Sequence, residues 1–484
     1  MNALRLLAVL SWFVLESSTL LANTERMQFA EQELRGDLDE LKAKLKGLHP
    51  GLFRYATKNE FEDAFRRLRV RIGPTMSDVD FFREIASLSS VIQDGHTEFL
   101  FSPSAQRDAE TLWPLLPLKL RLINQRLYVL RDYATADQAL AGAEIRGING
   151  KPARELVEKL ISMSPRDGGV ATGPRRWLEK RFRSNTFLAV ETGCRPKIDI
   201  TFAQHESDPS RTTVLTGLPL PELARRAHAL HPRDWATLPA YELKFLNDGA
   251  IALLTVRSFE DDPGLPPLAG FFAAAFGSVE ERRSRILIID VRDNGGGSDH
   301  LGKLLLAHLL DHPFDYYKGI FVNAALVNSG EPALRNLVRD LKFEQDSEHN
   351  WRLASHPNFG VQHPASPGFH GKVIVLMNGG SFSTTAEFLA ILHANHRATF
   401  VGEESGGAYC GNTSGASFVL ALPNTGVRLE IPLMRYELAA QSEQANRGIM
   451  PDAPVSESID DLLSERDRYL DMAVKLATAE FDKK

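Results

Sequence analysis

Two unbroken apolar runs constrain this chain more than any other feature. They are Ile286-Leu287-Ile288-Ile289, which leads into Asp290-Val291, and Val373-Ile374-Val375-Leu376-Met377. A short β-branched run without polar alternation reads as a strand covered on both faces, the habit of parallel strands packed between helices. The first run leads into Asn294 and the triple glycine Gly295-Gly296-Gly297. The second leads into Gly379-Gly380-Ser381-Phe382-Ser383 and then a helix predicted over residues 384–396, with Phe388, Leu389, Ile391 and Leu392 on its core face. Ile251 to Val256 reads as a further strand, and a helical stretch follows through about residue 281. Residues 239–484 are therefore expected to form an α/β core.

The rest of the chain is patterned differently. Residues 25–105 read as an N-terminal helical domain: Leu34, Leu38, Leu41 and Leu45 mark one buried face, and Phe81, Ile85, Leu88 and Ile92 mark another. Asp94-Gly95 supplies a turn, with Gly95 suited to end the helix, so His96 is expected just beyond a helix C-terminus. Residues 110–205 alternate like strands, with Asn149-Gly150 as a hairpin signal and a helix after it from about Ala153 to Ile161. Residues 206–238 are richer in Pro, Arg and His and read as a linker. The expected class is α/β, in an α+β multi-domain arrangement.

At 484 residues the chain exceeds what one core usually serves, and two or three domains are expected. A net charge of −6 argues against a general nucleic-acid binder. Met1 to Arg5 is basic, Leu6 to Leu15 almost wholly apolar, and Leu20-Leu21-Ala22 a small-residue cleavage site, so residues 1–22 read as a signal peptide. Export to the periplasm or the extracellular space is the expected localisation. No transmembrane span is expected in the mature chain. Cys194 and Cys410 are too few to define a disulfide framework or a zinc site, and whether they pair is open. No His-Glu-x-x-His or Cys cluster suggests a metal, and no cofactor is expected.

Three segments together suggest acyl transfer: Asp94-Gly95-His96-Thr97, the triple glycine, and Ser383 before a helix. A serine hydrolase needs a base, oxyanion donors and a nucleophile. Taken alone, Ser383 is an ordinary helix N-cap and the glycines an ordinary tight turn. A phosphate loop is disfavoured, since neither Gly-x-Gly-x-x-Gly nor Gly-Lys-Ser/Thr accompanies the glycines.

The order and spacing of these segments resemble the serine peptidase family of the carboxyl-terminal processing peptidases and the tricorn core proteases, over residues 30–455. The resemblance implies a peptidase core of crotonase-like (ClpP/crotonase) fold and a PDZ-like module over residues 110–205. It implies Ser383 as nucleophile, with Ser381 the competing candidate. It also implies oxyanion donors at the Thr384 N–H and at Gly295 or Gly296. The processing branch uses a lysine 25 residues after its serine; here that position is Ala408, and no lysine occurs between Lys372 and Lys475. The tricorn branch uses a histidine, and His96 matches it. Tricorn-like members orient the base through a glutamate near a Gly-x-x-Pro-Asp segment, here Gly448 to Asp452, which implies Glu443 with Glu437 as alternative. The relay serine beside the tricorn histidine is Gly95 here, so a water or Thr97 is expected to take its place.

The resulting expectation is an exported serine endopeptidase acting on protein or peptide substrates, with a homo-oligomer left open. A catalytically silent protein that binds peptides or hydrophobic ligands, or an esterase, remains the alternative.

Overall fold

The computed structural model describes residues 26–481 except Ala136, Ala236, Thr237, Glu331 and His349; the expected signal segment lies outside the described residues. Both apolar runs are interior strands of one sheet. Its order is Tyr241–Leu246, Ile251–Val256, Ile286–Asp290, Lys372–Met377, Ala398–Gly402 and Ala453–Pro454. The first pair is antiparallel and the others are parallel, with Ile288 opposite Leu253 and Ile374. The lack of polar alternation has a direct cause. Leu287, Ile289, Val373 and Val375 face the main core, while Ile286, Ile288, Ile374 and Leu376 face a second core closed by Tyr469, Ala473 and Ala477 of the C-terminal helix Arg468–Phe481. Each fully buried side chain contributes about 1.5–3 kcal/mol of transfer free energy, so neither face tolerates a polar residue cheaply.

A second sheet runs Phe343–Gln345, Trp351–Leu353, Tyr317–Val322, Arg428–Leu438 and Thr413–Ala421. The short strand Glu98–Leu100 from the N-terminal part adds to it, pairing Leu100, Phe99 and Glu98 with Arg428, Leu429 and Glu430. That pairing begins two residues after His96 and ties the N-terminal region to the core. Asp37 of the helix Glu31–Leu48 adds a second tie: its buried carboxylate accepts the N–H groups of Asn424 and Thr425 and the Thr425 hydroxyl.

Residues 118–216 hold an antiparallel sheet of Leu118–Ile123, Arg126–Asp132, Glu144–Ile148, Lys197–Ala203 and Arg211–Thr216, with the helix Ala153–Ser162 beside it. Asn149 and Gly150 both take positive φ, as a tight hairpin requires. Two expectations need correction. Residues 206–238 are not a bare linker: Arg211–Thr216 completes this sheet, and Leu220–Leu230 is a helix whose Leu223 and Ala227 are buried. And Gly95 does not end the helix before it. Gln93, at φ 53°, is the left-handed C-cap of Ser89–Ile92, so the chain has already left the helix two residues earlier. No helix among the described residues is long and apolar enough to cross a membrane.

Candidate active site

Ser383 stands between the strand Lys372–Met377 and the helix Thr384–Ala394. Its backbone is strained, with φ 56° and ψ −129°. A non-glycine residue pays on the order of 1–3 kcal/mol for such a conformation, and the surroundings must impose it. They do so through short backbone contacts. Phe382 N–H donates to the Asn294 carbonyl at 3.0 Å, Gly406 N–H to the Ser381 carbonyl at 2.9 Å, and the Thr384 hydroxyl to the Gly297 carbonyl at 2.7 Å. Cβ atoms are excluded around the turn. One placed on Gly296 would lie 2.8 Å from Ser383 Cβ, and one on Gly406 would lie 2.2 Å from the Gly379 carbonyl oxygen.

The strained geometry lifts the Ser383 hydroxyl off its own helix: the side chain makes no capping bond. Instead Oγ lies 3.1 Å from His96 Nε2. Ser381 is committed elsewhere, its hydroxyl donating to the Val291 carbonyl at 2.8 Å and accepting the Asn378 N–H. Ser381 therefore holds the two strand ends together while Ser383 faces the imidazole.

The His96 turn is held by buried carboxylates. Asp94 accepts the His96 N–H at 3.0 Å and the Thr97 hydroxyl at 3.0 Å, and it bonds Thr413 through its other oxygen. His49 Nε2 sits 2.9 Å from Thr97 Oγ1 and 3.6 Å from Asp94. Its Nδ1 accepts the Gly51 N–H, which places the ring proton on Nε2. Burial would raise the Asp94 carboxyl, yet His49, His96 and Thr413 outweigh it and hold Asp94 well below the usual carboxylate range. Asp167 accepts the Gly95 N–H at 2.8 Å and the Ala408 N–H at 3.3 Å; burial, and then the charge of Asp94, push its carboxyl up.

Gly95 is explained by crowding. A Cβ there would meet the Phe382 ring at 2.6 Å and Asp167 Oδ1 at 2.9 Å. Phe382 in turn stacks on His96 at 4.6 Å between ring centres. The space that a relay serine's side chain would need is filled by that ring. Thr97 does not replace it either, because its hydroxyl is spent on Asp94 and His49. The buried Nδ1 of His96 has no hydrogen-bond partner among the described residues.

Neither glutamate expected near the base meets it. Glu443 lies on an exposed turn, and Glu437 pairs with Arg435 on the strand Arg428–Leu438. The register counted along the sequence cannot see that residues 443–446 bow outward, with the Asn446 carbonyl turned onto Gly169. Among the oxyanion candidates, Gly296 needs correction: its N–H donates to Asn294 Oδ1 at 2.9 Å and is not free. Gly295 is exposed, and its N–H has no backbone acceptor among the described residues. The Thr384 N–H is the first of its helix, where no intrahelical acceptor exists. Gly295 and Thr384 therefore each offer an N–H donor without a backbone acceptor among the described residues.

Sequence reasoning missed His49, Thr413 and Asp167. Each is a lone polar residue in an unremarkable segment, and only long-range packing brings it under the His96 turn.

Among the described residues, no cluster of His, Cys, Asp and Glu is arranged to hold a metal ion. Cys194 and Cys410 are not paired with each other.

The profile of peptidase family S41 matches residues 250–455. No curated protein sequence matches the chain. Among solved structures, a crystal structure of a serine-to-alanine mutant of CPAF superposes with a TM-score of 0.63 at 15% identity, covering 93% of this chain and 97% of that one. Mature CPAF gives 0.61 at 14% identity, covering 92% and 96%. Mature CPAF complexed with lactacystin gives 0.59 at 14% identity, covering 92% and 98%. At such identities the likeness speaks for a shared fold.

Proposed function

With residues 250–455 a domain of peptidase family S41, and the chain thereby a serine peptidase, we propose that it is an exported endopeptidase acting through an acyl-enzyme on Ser383. The observation that carries this reading is the 3.1 Å contact of Ser383 Oγ with His96 Nε2, across 287 residues of sequence. His96 takes the Ser383 proton as Oγ attacks the peptide carbonyl. The N–H groups of Gly295 and Thr384 stabilise the oxyanion of the tetrahedral intermediate. The imidazolium then protonates the leaving amine, and water enters with His96 again as base. Asp94 accepts the His96 N–H and supplies negative charge near the imidazolium that forms, while Asp167 holds the turn through the Gly95 N–H. The basic and apolar start of the sequence supports export.

The test is labelling of the purified protein with a fluorophosphonate and mapping of the adduct. An adduct on Ser383 that is lost in His96→Ala is the expected result. Absence of an adduct on folded protein would overturn the mechanism. One observation favours the silent binding protein instead: the buried Nδ1 of His96 has no acceptor to keep its proton in place. The same labelling experiment separates the two.

A further inference from the structure

Beside the nucleophile turn lies a cavity of about 70 Å³ lined by Gly295 and Phe382 together with Trp177, Arg166 and Lys180. Trp177 belongs to the helix Thr172–Glu179, and Arg166 to the loop leading into it. Glycine forms much of the lining, so an extended main chain can approach closely there.

Arg166 is unusual among the arginines near the site. It is partly buried, and its Nη2 donates to the Ser90 carbonyl at 3.2 Å. Its Nε is buried without a hydrogen-bond partner, and no carboxylate pairs with it among the described residues. Burial pushes its pKa down, with no acid offsetting the effect. Arg176, which borders the same cavity, shows the contrast: Glu403, Glu179 and Glu457 surround it at 3.3 to 3.5 Å. The acid nearest in sequence to Arg166 is Asp167, but its two oxygens face Gly95 and Ala408. A guanidinium partly withdrawn from water without an anion is costly, and buried charges are ordinarily paired.

We propose that Arg166 is a specificity-determining residue that receives a substrate carboxylate in this cavity, making peptides that present a carboxylate there the preferred substrates. The proposal rests on the peptidase reading above for the word substrate, and on Arg166 and the cavity alone for the binding of the carboxylate. A planar guanidinium with free N–H groups pairs with a carboxylate through charge-assisted hydrogen bonds. The carboxylate belongs either to an acidic side chain next to the scissile bond or to a free peptide C-terminus.

The test uses three small probes: N-acetyl-glutamate α-amide, its neutral twin N-acetyl-glutamine amide, and N-acetyl-alanine, which carries only a main-chain carboxylate. Each is titrated into the full chain while tryptophan emission is followed, since Trp177 lines the cavity. The expected result is a saturable change with at least one carboxylate probe at about 10-fold or more lower concentration than with the neutral twin, lost in Arg166→Gln and partly kept in Arg166→Lys. Tighter binding of the glutamate probe identifies the acidic side chain as the source; tighter binding of N-acetyl-alanine identifies the C-terminus. Equal response to charged and neutral probes, or a preference that survives Arg166→Gln, would overturn the proposal. If Arg166→Gln does not fold, Arg166→Lys carries the comparison. The titration needs no turnover. A chain whose Ser383 takes no fluorophosphonate but whose Arg166 still selects carboxylates loses the peptidase reading and keeps the subsite, and the reverse outcome is equally readable.

Discussion

The two turns that meet at the site are built on opposite principles. The Ser383 turn is held by main chain: neighbouring backbone carbonyls, glycines that leave no room for Cβ atoms, and the start of a buried helix. The His96 turn is held by side chains from distant segments, with Asp94, His49, Thr97, Thr413 and Asp167 bonded around it. A main-chain scaffold tolerates surface change but not a change of residue size. A polar network tolerates size change but not the loss of one partner, because the abandoned group stays buried.

The sharpest way to break this contrast is at the two reacting atoms. Ser383→Ala and His96→Ala are each expected to lower kcat on the order of 10⁴-fold or more while leaving the melting temperature within a few degrees, measured by peptide hydrolysis and thermal unfolding. Loss of folding in either would show that the contact is structural. Next, Asp94→Asn is expected to damage the base without touching the nucleophile. A drop in kcat of about 10- to 100-fold, with a shifted pH–rate profile, is the expected outcome, together with about 2–4 kcal/mol of lost stability from the disturbed network. An unchanged pH profile would reduce Asp94 to a structural role. Gly95→Ala probes the boundary between the two turns. Its Cβ must displace Phe382 from His96, and about a 10-fold loss of kcat is expected with little change in KM. Glu443→Gln is the control, expected to change kcat/KM less than about 2-fold, as suits an exposed carboxylate.

The helix after Ser383 adds a prediction in pH. Glu387 is buried and accepts bonds from Tyr316, Tyr317 and Asn412. Burial, and then the charge of Asp299, raise its pKa from 4.5 to about 7. The folded state therefore holds a proton that the unfolded chain releases between those values. The associated stability is full below pH 4.5 and falls as pH rises through 7, by about 3 kcal/mol in all. Unfolding followed from pH 5 to pH 8 is expected to show this decline in the wild type and a flatter curve in Glu387→Gln. A parallel decline in both would mean that Glu387 titrates normally.

The same contrast explains what was legible in the sequence. The parallel strands were readable because unbroken apolar runs have one physical cause, burial on both faces. Ser383 was readable as a residue between a strand and a helix, and His96 through its resemblance to a family motif. The network under His96 was not readable, since nothing local distinguishes His49 or Thr413 from other polar residues. Glu443 was misplaced because spacing along a chain does not report how a turn bows. Gly296 was misjudged because a glycine's freedom is visible in sequence, while the capture of its N–H by Asn294 is not. Residues 206–238 looked like a linker because Pro, Arg and His mask the two buried apolar positions of Leu220–Leu230.

The pairing of Glu98–Leu100 with Arg428–Glu430 has a consequence for the order of events on the ribosome. The segment that bears His96 leaves the ribosome before the strand that seats it, and Ser383 lies between the two in sequence. Until Arg428–Glu430 is made the histidine has no dock, and until residue 383 is made it has no serine to meet. A reactive centre assembled from segments so far apart in sequence is thus delayed until the later of them has emerged.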